Sequence, residues 1–325
     1  MSLLSPALRR LLGFLDTTDV VNCVFFAILS LGMIIGAAKI QFWWLFILAN
    51  VAVIVAIVFL ADLASTRTHI WRLFHGFYMM ICIPIAFKEV YYLVPALHPV
   101  DYDQALAAID FWLFGINPTV WIGRFAHPAL TEILQIAYAS FYLLPMILTI
   151  DLYRKKRMQA FRIVFLTVIL GFYISYWGYL AVPAVGPRFT LHEFHKVDDE
   201  LPGLYFTKIL RYYTDFGESI PQGTVDTLKH VQRDVFPSGH TEITLLVMFL
   251  AFRYRARSRY VIGILGTLLV VATVYLRYHY VIDLLGGVLF AILSFEAMKL
   301  IDSGWYRVKN SLAKNGLRYV RTPSA

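Results

Sequence analysis

Charge is scarce in this chain. Of its 325 residues 15% are Asp, Glu, Lys or Arg, where a soluble domain carries about 25%, so a water-solvated surface of ordinary extent is excluded. Cysteine is scarcer still. Cys23 and Cys82 are the only two, both inside apolar runs, which excludes a disulfide framework and leaves them as small buried side chains. Acids are outnumbered by bases, 21 to 29. A cleavable leader is not expected, because no short apolar run ending in small residues follows Arg9 and Arg10 before the first long one. Neither an internal repeat nor a low-complexity tract is present.

What the chain has in excess is apolar length. Hydrophobic residues make up 59% of it and the mean hydropathy is +0.65. A bilayer-crossing helix needs about 20 mostly apolar residues. That ruler picks out segments near 20–38, 42–62, 74–95, 129–150, 161–183, 239–252, 259–276 and 280–299. The expected fold class is therefore all-α, a polytopic membrane protein. The net charge of +8 would suit nucleic acid if it were spread over a surface, but it sits in short connections. Arg154, Lys155, Lys156 and Arg157 follow the fourth segment, and Arg253, Arg255, Arg257 and Arg259 follow the sixth. Arg307, Lys309, Lys314, Arg318 and Arg321 crowd the end. Short loops rich in Lys and Arg stay cytoplasmic. Orientation accounts for the basic charge, and no nucleic-acid partner is expected.

This rule puts both termini and the basic loops on the cytoplasmic side. The long segment 184–235, with Asp198, Asp199, Glu200, Asp215 and Glu218, falls on the opposite side. Residues 101–125 mix aromatics with acids and suit short interfacial helices, with Trp112 and Trp121 at headgroup depth. Lys88 and Glu89 lie inside the third segment. They either face a partner or cavity or reach for the interface.

Three short strings carry chemistry, and all three map to the extracytoplasmic face. The first is Phe236-Pro237-Ser238-Gly239-His240-Thr241. Ser238 is a good N-cap, the helix start offers free N–H groups to an anion, and His240 stands at its mouth as a general acid would. The second, Arg277-Tyr278-His279-Tyr280-Val281-Ile282-Asp283, spaces His279 and Asp283 four apart, which puts them on one face if the last helix starts here. A carboxylate on one imidazole nitrogen leaves the other free as a nucleophile. The third, Val182-Pro183-Ala184-Val185-Gly186-Pro187-Arg188-Phe189, offers Arg188 as a fork for phosphate oxygens. His192, His195 and His230 lack metal-ligand spacing, and no metal is expected.

In their order and spacing these strings resemble the type 2 phosphatidic acid phosphatase superfamily, over roughly residues 74–299. The resemblance implies a six-helix phosphatase core, here preceded by two N-terminal transmembrane helices. It divides the chain into an anchor at 1–66, a core at 67–302 and a basic cytoplasmic tail at 303–325. It also implies His279 as a nucleophile forming a phosphohistidine, Asp283 as its orienting partner and His240 as the proton donor. Arg188, Ser238 and Gly239 would bind phosphate, with no cofactor. Two cations of the family pattern are missing: Ala181 stands where a first-motif lysine is usual, and Ala272-Thr273 where the third motif has Ser-Arg. With Asp103, Asp110 and Leu113-Phe114-Gly115, these departures are similar to the inositol phosphorylceramide synthase branch. Arg277 and Lys88 are the candidates to replace a missing cation. The implied function is an integral membrane, metal-independent enzyme acting on lipid phosphoesters, a lipid phosphate phosphatase if water discharges the phosphoenzyme. It is a headgroup phosphotransferase if an alcohol does. A scaffold or transporter that has lost catalysis is the remaining class. The implied partners are a lipid substrate and the membrane, with the oligomeric state open.

Overall fold

The computed structural model describes residues 6–220, 223–224 and 226–314. Among the described residues every regular element is helical, so the chain is all-α. Helix α1 (Pro6–Phe14) leads into α2 (Thr17–Ile35) and α3 (Trp43–Thr66). Helices α4 (His69–Phe77) and α5 (Met79–Leu97) continue one another. Two short helices, α6 (Asp103–Phe114) and α7 (Pro118–Ile122), follow, and the α6 and 118–125 segments meet with a 68° bend. The fourth apolar segment is broken: α8 (Pro128–Ala139) and α9 (Leu143–Arg154) meet at 54°. Helix α10 (Met158–Ala181) is followed by α11 (Pro187–Thr190), α12 (Val197–Glu200), α13 (Thr207–Gly217) and α14 (Thr227–His230). The bundle closes with α15 (Gly239–Arg253), α16 (Arg259–Tyr275) and α17 (Val281–Lys314).

All eight expected segments are helical. Five rods (α2, α3, α4–α5, α10 and α17) are individually long and apolar enough to cross a membrane. The α8–α9 pair passes jointly, as does the α6–α7 pair, while α15 and α16, at 15 and 17 residues, are shorter. Helix α3 is apolar on every side and buries only Asn50, Ile57 and Ala61, as a rod bathed in lipid does. Helix α10 is the axis, with 78% of its apolar window buried against α2, α5, α9, α15 and α17. Helix α2 packs on α5 and α10, whereas α3 packs on α2 and α4. At the other end, α17 runs past 302 without a break to Lys314, and Arg318 and Arg321 lie outside the described residues.

Local chemistry starts and ties these helices. Asp16 and Asp19 form a capping box at the start of α2, each carboxylate accepting the other's backbone N–H at 3.0 and 2.8 Å, which satisfies two of the free amides of a helix start. Glu242 of α15 is fully buried and accepts the hydroxyls of Ser175 on α10 and of Ser294, 2.6 Å away on α17. A buried acid costs free energy unless it is hydrogen-bonded, so this tripod fixes three helices beneath the Ser238 turn. The turn itself rests on α17, where a Cβ at Gly287 would meet the Ser238 carbonyl at 2.8 Å. Lys88 and Glu89 both have partners: Glu89 accepts from Asn50 at 2.9 Å inside the bundle, and Lys88 donates to Gly217 O and Ser219 Oγ at 2.7 and 2.8 Å.

Candidate active site

The three chemistry-bearing strings converge at one end of the bundle. Ser238 caps α15, its Oγ accepting the Thr241 N–H at 3.2 Å, and its own N–H donates to the Asp283 carbonyl at 3.0 Å. That places Gly239 and His240 in the first turn of α15 beside the start of α17. The His240 and His279 rings lie 5.8 Å apart, centroid to centroid, at 59°. His279 is 4% exposed, and its Nδ1 lies 3.0 Å from the Val235 carbonyl. The nearer Asp283 oxygen is 3.5 Å from the same nitrogen, beyond normal hydrogen-bond length. It accepts instead from Tyr280 N–H at 2.8 Å. The carbonyl therefore fixes the tautomer with the proton on Nδ1, which leaves Nε2 with its lone pair free. Burial, with a smaller push from Arg188, holds the His279 imidazole down at about 4 against the opposing pull of Asp234.

Arg188 reaches the site through a turn that only glycine fits. Gly186 has φ +97°, a left-handed conformation costly for other residues, and a Cβ there would lie 2.8 Å from the Tyr278 carbonyl. Asp103 accepts the Val185 and Gly186 N–H groups at 2.9 and 2.7 Å, and the Arg188 N–H donates to the Arg277 carbonyl at 3.0 Å. One α6 helix holds both strings, because Asp110 accepts the Val281 and Ile282 N–H groups at 2.7 and 2.8 Å. Carboxylate at a helix N-terminus is the favourable sign. Asp103 and Asp110 were legible as polar punctuation of 101–125. Their role as clamps is a long-range fact.

The Arg188 guanidinium is buried, bonded to Asp215 Oδ1 at 2.8 Å and to Glu218. It also begins a stack. Its centre lies 4.7 Å over Tyr278, the Tyr278 ring 4.4 Å from Tyr138, and Tyr138 4.5 Å from His240. The arginine and His240 thus share one aromatic wall, and His279 stands beside it across His240. Tyr138, on α8, carries no motif signal in the sequence. In the sequence Asp215 and Glu218 stand out only as acids of the long loop. Burial pushes the Glu218 carboxyl up, with Asp234 and Asp215 adding to it and Arg188 opposing. Asp234, six residues before His240, is likewise raised by burial, with His279 and Arg188 pulling it back.

Of the two candidate replacement cations, Arg277 is buried and paired with Glu200, and its φ of +67° sets the approach to His279. Lys88 touches the loop that carries Glu218. His192 meets Thr119 at 3.2 Å. Among the described residues one trio, Asp16, Asp19 and His75, brings ligand-type atoms within 4.8 Å of one another. It joins the start of α2 to α4, and its atoms serve the capping box and a 2.9 Å His75–Asp19 contact.

Fold and site together define a polytopic all-α membrane protein with paired histidines beside a buried arginine. The chain belongs to the PAP2 superfamily, whose sequence profile matches residues 104–297. It is also similar to a PA-phosphatase related-family protein of Dictyostelium discoideum, 26% identical over 213 residues, which covers 59% of this chain and 34% of that protein. The chain thus spans about a third of the length of this relative. No solved structure matches it significantly.

Proposed function

We propose that this protein is a phosphatase-type enzyme acting on lipid phosphoesters through a phosphohistidine. Superfamily membership and the likeness to a PA-phosphatase related protein support the class. The observation that carries the mechanism is the pairing of His240 and His279 at 5.8 Å with His279 Nδ1 engaged by a carbonyl. His279 Nε2 attacks phosphorus, the bond from phosphorus to the lipid oxygen breaks, and protonated His240 delivers its proton to the leaving alkoxide. Neutral His240 then takes a proton from the water that opens the phosphohistidine. A positioned acid–base histidine contributes about 10²–10⁴ in rate. Arg188 and the amides of the Ser238–Gly239 turn neutralise the phosphoryl oxygens, and Asp283 fixes the His279 loop through the Tyr280 amide. No step needs a metal or cofactor. We assign the site to the extracytoplasmic face, with a two-span anchor, a six-span core and a basic tail. A second reading, in which an alcohol replaces water, rests on the resemblance of Asp103 and Asp110 to the inositol phosphorylceramide synthase branch.

The test is phosphate release from a panel of lipid phosphates by purified protein, with trapping of acid-labile phosphoenzyme. His279→Ala should abolish both. His240→Ala should fail on lipid substrates yet turn over a nitrophenyl phosphate, whose leaving group departs without protonation. Rescue by that substrate in His279→Ala but not in His240→Ala would overturn the roles. Chelator should leave the rate nearly unchanged. Addition of a polyol or lipid alcohol separates the two acceptors by the product formed.

A further inference from the structure

Helix α13 is built the wrong way round for a helix in water. A surface helix of a soluble protein turns its apolar stripe inward and its charges outward. Here Thr207 and Arg211 are buried, and Asp215 and Glu218 turn inward to Arg188. The opposite face presents Ile209, Tyr212, Tyr213 and Phe216, and the stretch leading into the helix adds Tyr205 and Phe206, each 46–85% exposed. Arg211 is satisfied internally by Asp198 at 2.6 Å and the Leu201 carbonyl at 2.7 Å, so the inward polar face is fully engaged. Six large apolar residues left in water would form a patch that soluble monomers avoid.

We infer that α13 lies in the leaflet on the motif side of the bilayer, its aromatic face seated among headgroups and upper acyl chains. Two observations select lipid over other occupants. The first is continuity with the membrane-facing belt. Glu132 of α8 accepts the backbone N–H groups of Leu204, Tyr205, Phe206 and Thr207 and the Thr207 hydroxyl, at 2.6–3.2 Å. That clamp holds α13 to the flank of α8, a helix whose Leu130, Ile133 and Ile136 are themselves exposed apolar side chains. The second is composition. Three tyrosines and two phenylalanines around a single lysine, Lys208, match the aromatic belt and snorkelling cation of an interfacial helix. The consequence for the site is spatial. The acids that hold Arg188 sit on the inner side of a helix whose outer side is in lipid, so the mouth of the site is fixed at headgroup depth.

The inference rests on the fold and stands whatever reaction the site performs. Its test uses the full chain in phosphatidylcholine liposomes, with Cys23→Ser and Cys82→Ser as background. Single cysteines replacing Ile209, Tyr213 or Asp199 carry an environment-sensitive fluorophore. Lipids spin-labelled near the headgroup should quench the probes at 209 and 213 severalfold more than the probe at 199, and aqueous iodide should show the reverse order. Equal iodide access at all three positions would overturn the inference. So would protection from both quenchers that disappears when one copy is isolated per nanodisc, because a second copy would then cover the face. The unsubstituted protein gives an independent readout, since a phosphatidylcholine bearing a headgroup-proximal diazirine should label the 205–216 stretch. Absence of that label, with labelling of α3 intact, would likewise overturn it.

Discussion

Arg188 spends its guanidinium on Asp215 and Glu218, so a phosphate that reaches it displaces two carboxylates. Removing their charge should make that exchange easier. Asp215→Asn combined with Glu218→Gln is expected to lower KM for a lipid phosphate about tenfold, or ~1.4 kcal/mol, with kcat little changed. Steady-state kinetics in mixed micelles read this directly, and a raised KM would mean that the acids serve only to hold α13. His279 makes a second prediction. A depressed imidazole pKa means the ring is neutral above that value and gains charge only below it. With the ring held at about 4, the nucleophile stays available through pH 5–6, where a free imidazole near 6.5 would be mostly protonated. The ring-proton resonance of His279, assigned by its loss in His279→Asn, should titrate near 4. A midpoint near 6.5 would place the ring in water. The motif residues were legible because a cap and a turn are local patterns, but the spacing of His279 and Asp283 misled, since α17 starts only at Val281 and the carboxylate bonds the Tyr280 amide. Tyr138, Asp215, Glu218 and Asp234 were not legible, because their partners lie tens of residues away in sequence and no local pattern announces them.

Among the elements, α6 and α17 are joined through Asp110 at the first free amides of α17. A carboxylate there contributes roughly 0.3–1 kcal/mol, more when buried. Asp110→Asn should lower Tm by a few degrees. It should depress kcat more than it changes KM, since the loop immediately before α17 carries His279. Paired thermal-shift and kinetic measurements check this, and an unchanged kcat would detach Asp110 from the chemistry. Helix α13 marks where reading elements from sequence stops. Apolar residues at 205, 209, 212, 213 and 216 give an ordinary amphipathic stripe, and the period says nothing about which face meets the bundle. That is set by Glu132 and Arg188, which lie outside the segment. The break at 140–142 was hidden for a similar reason, since Ser140, Phe141 and Tyr142 suit a continuous helix as well as a bent one.

For the whole molecule, apolar blocks of span length fixed the architecture in advance, because lipid permits little but helices where backbone groups have no water. Orientation is the remaining global property. The basic residues around 154–157 resist translocation, so cysteines introduced at Asp199 and Gln159, both exposed, should differ. An impermeant thiol reagent is expected to label position 199 in intact cells and position 159 only after permeabilisation. The reverse pattern would invert the protein in its membrane and place the two-histidine site in the cytoplasm.

The spacing of Asp103 and Asp110 has a consequence for how such a chain can change its length. Seven residues are close to two turns, so both carboxylates project from one side of α6, about 10 Å apart along its axis. One carboxylate holds the turn before Arg188 and the other the start of α17. A single inserted or deleted residue between them would swing one acid about 100° around the helix and release one of the two strings. Side chains between the clamps are replaceable, whereas the number of residues is not. Helix α6 is a gauge whose length is part of the active site.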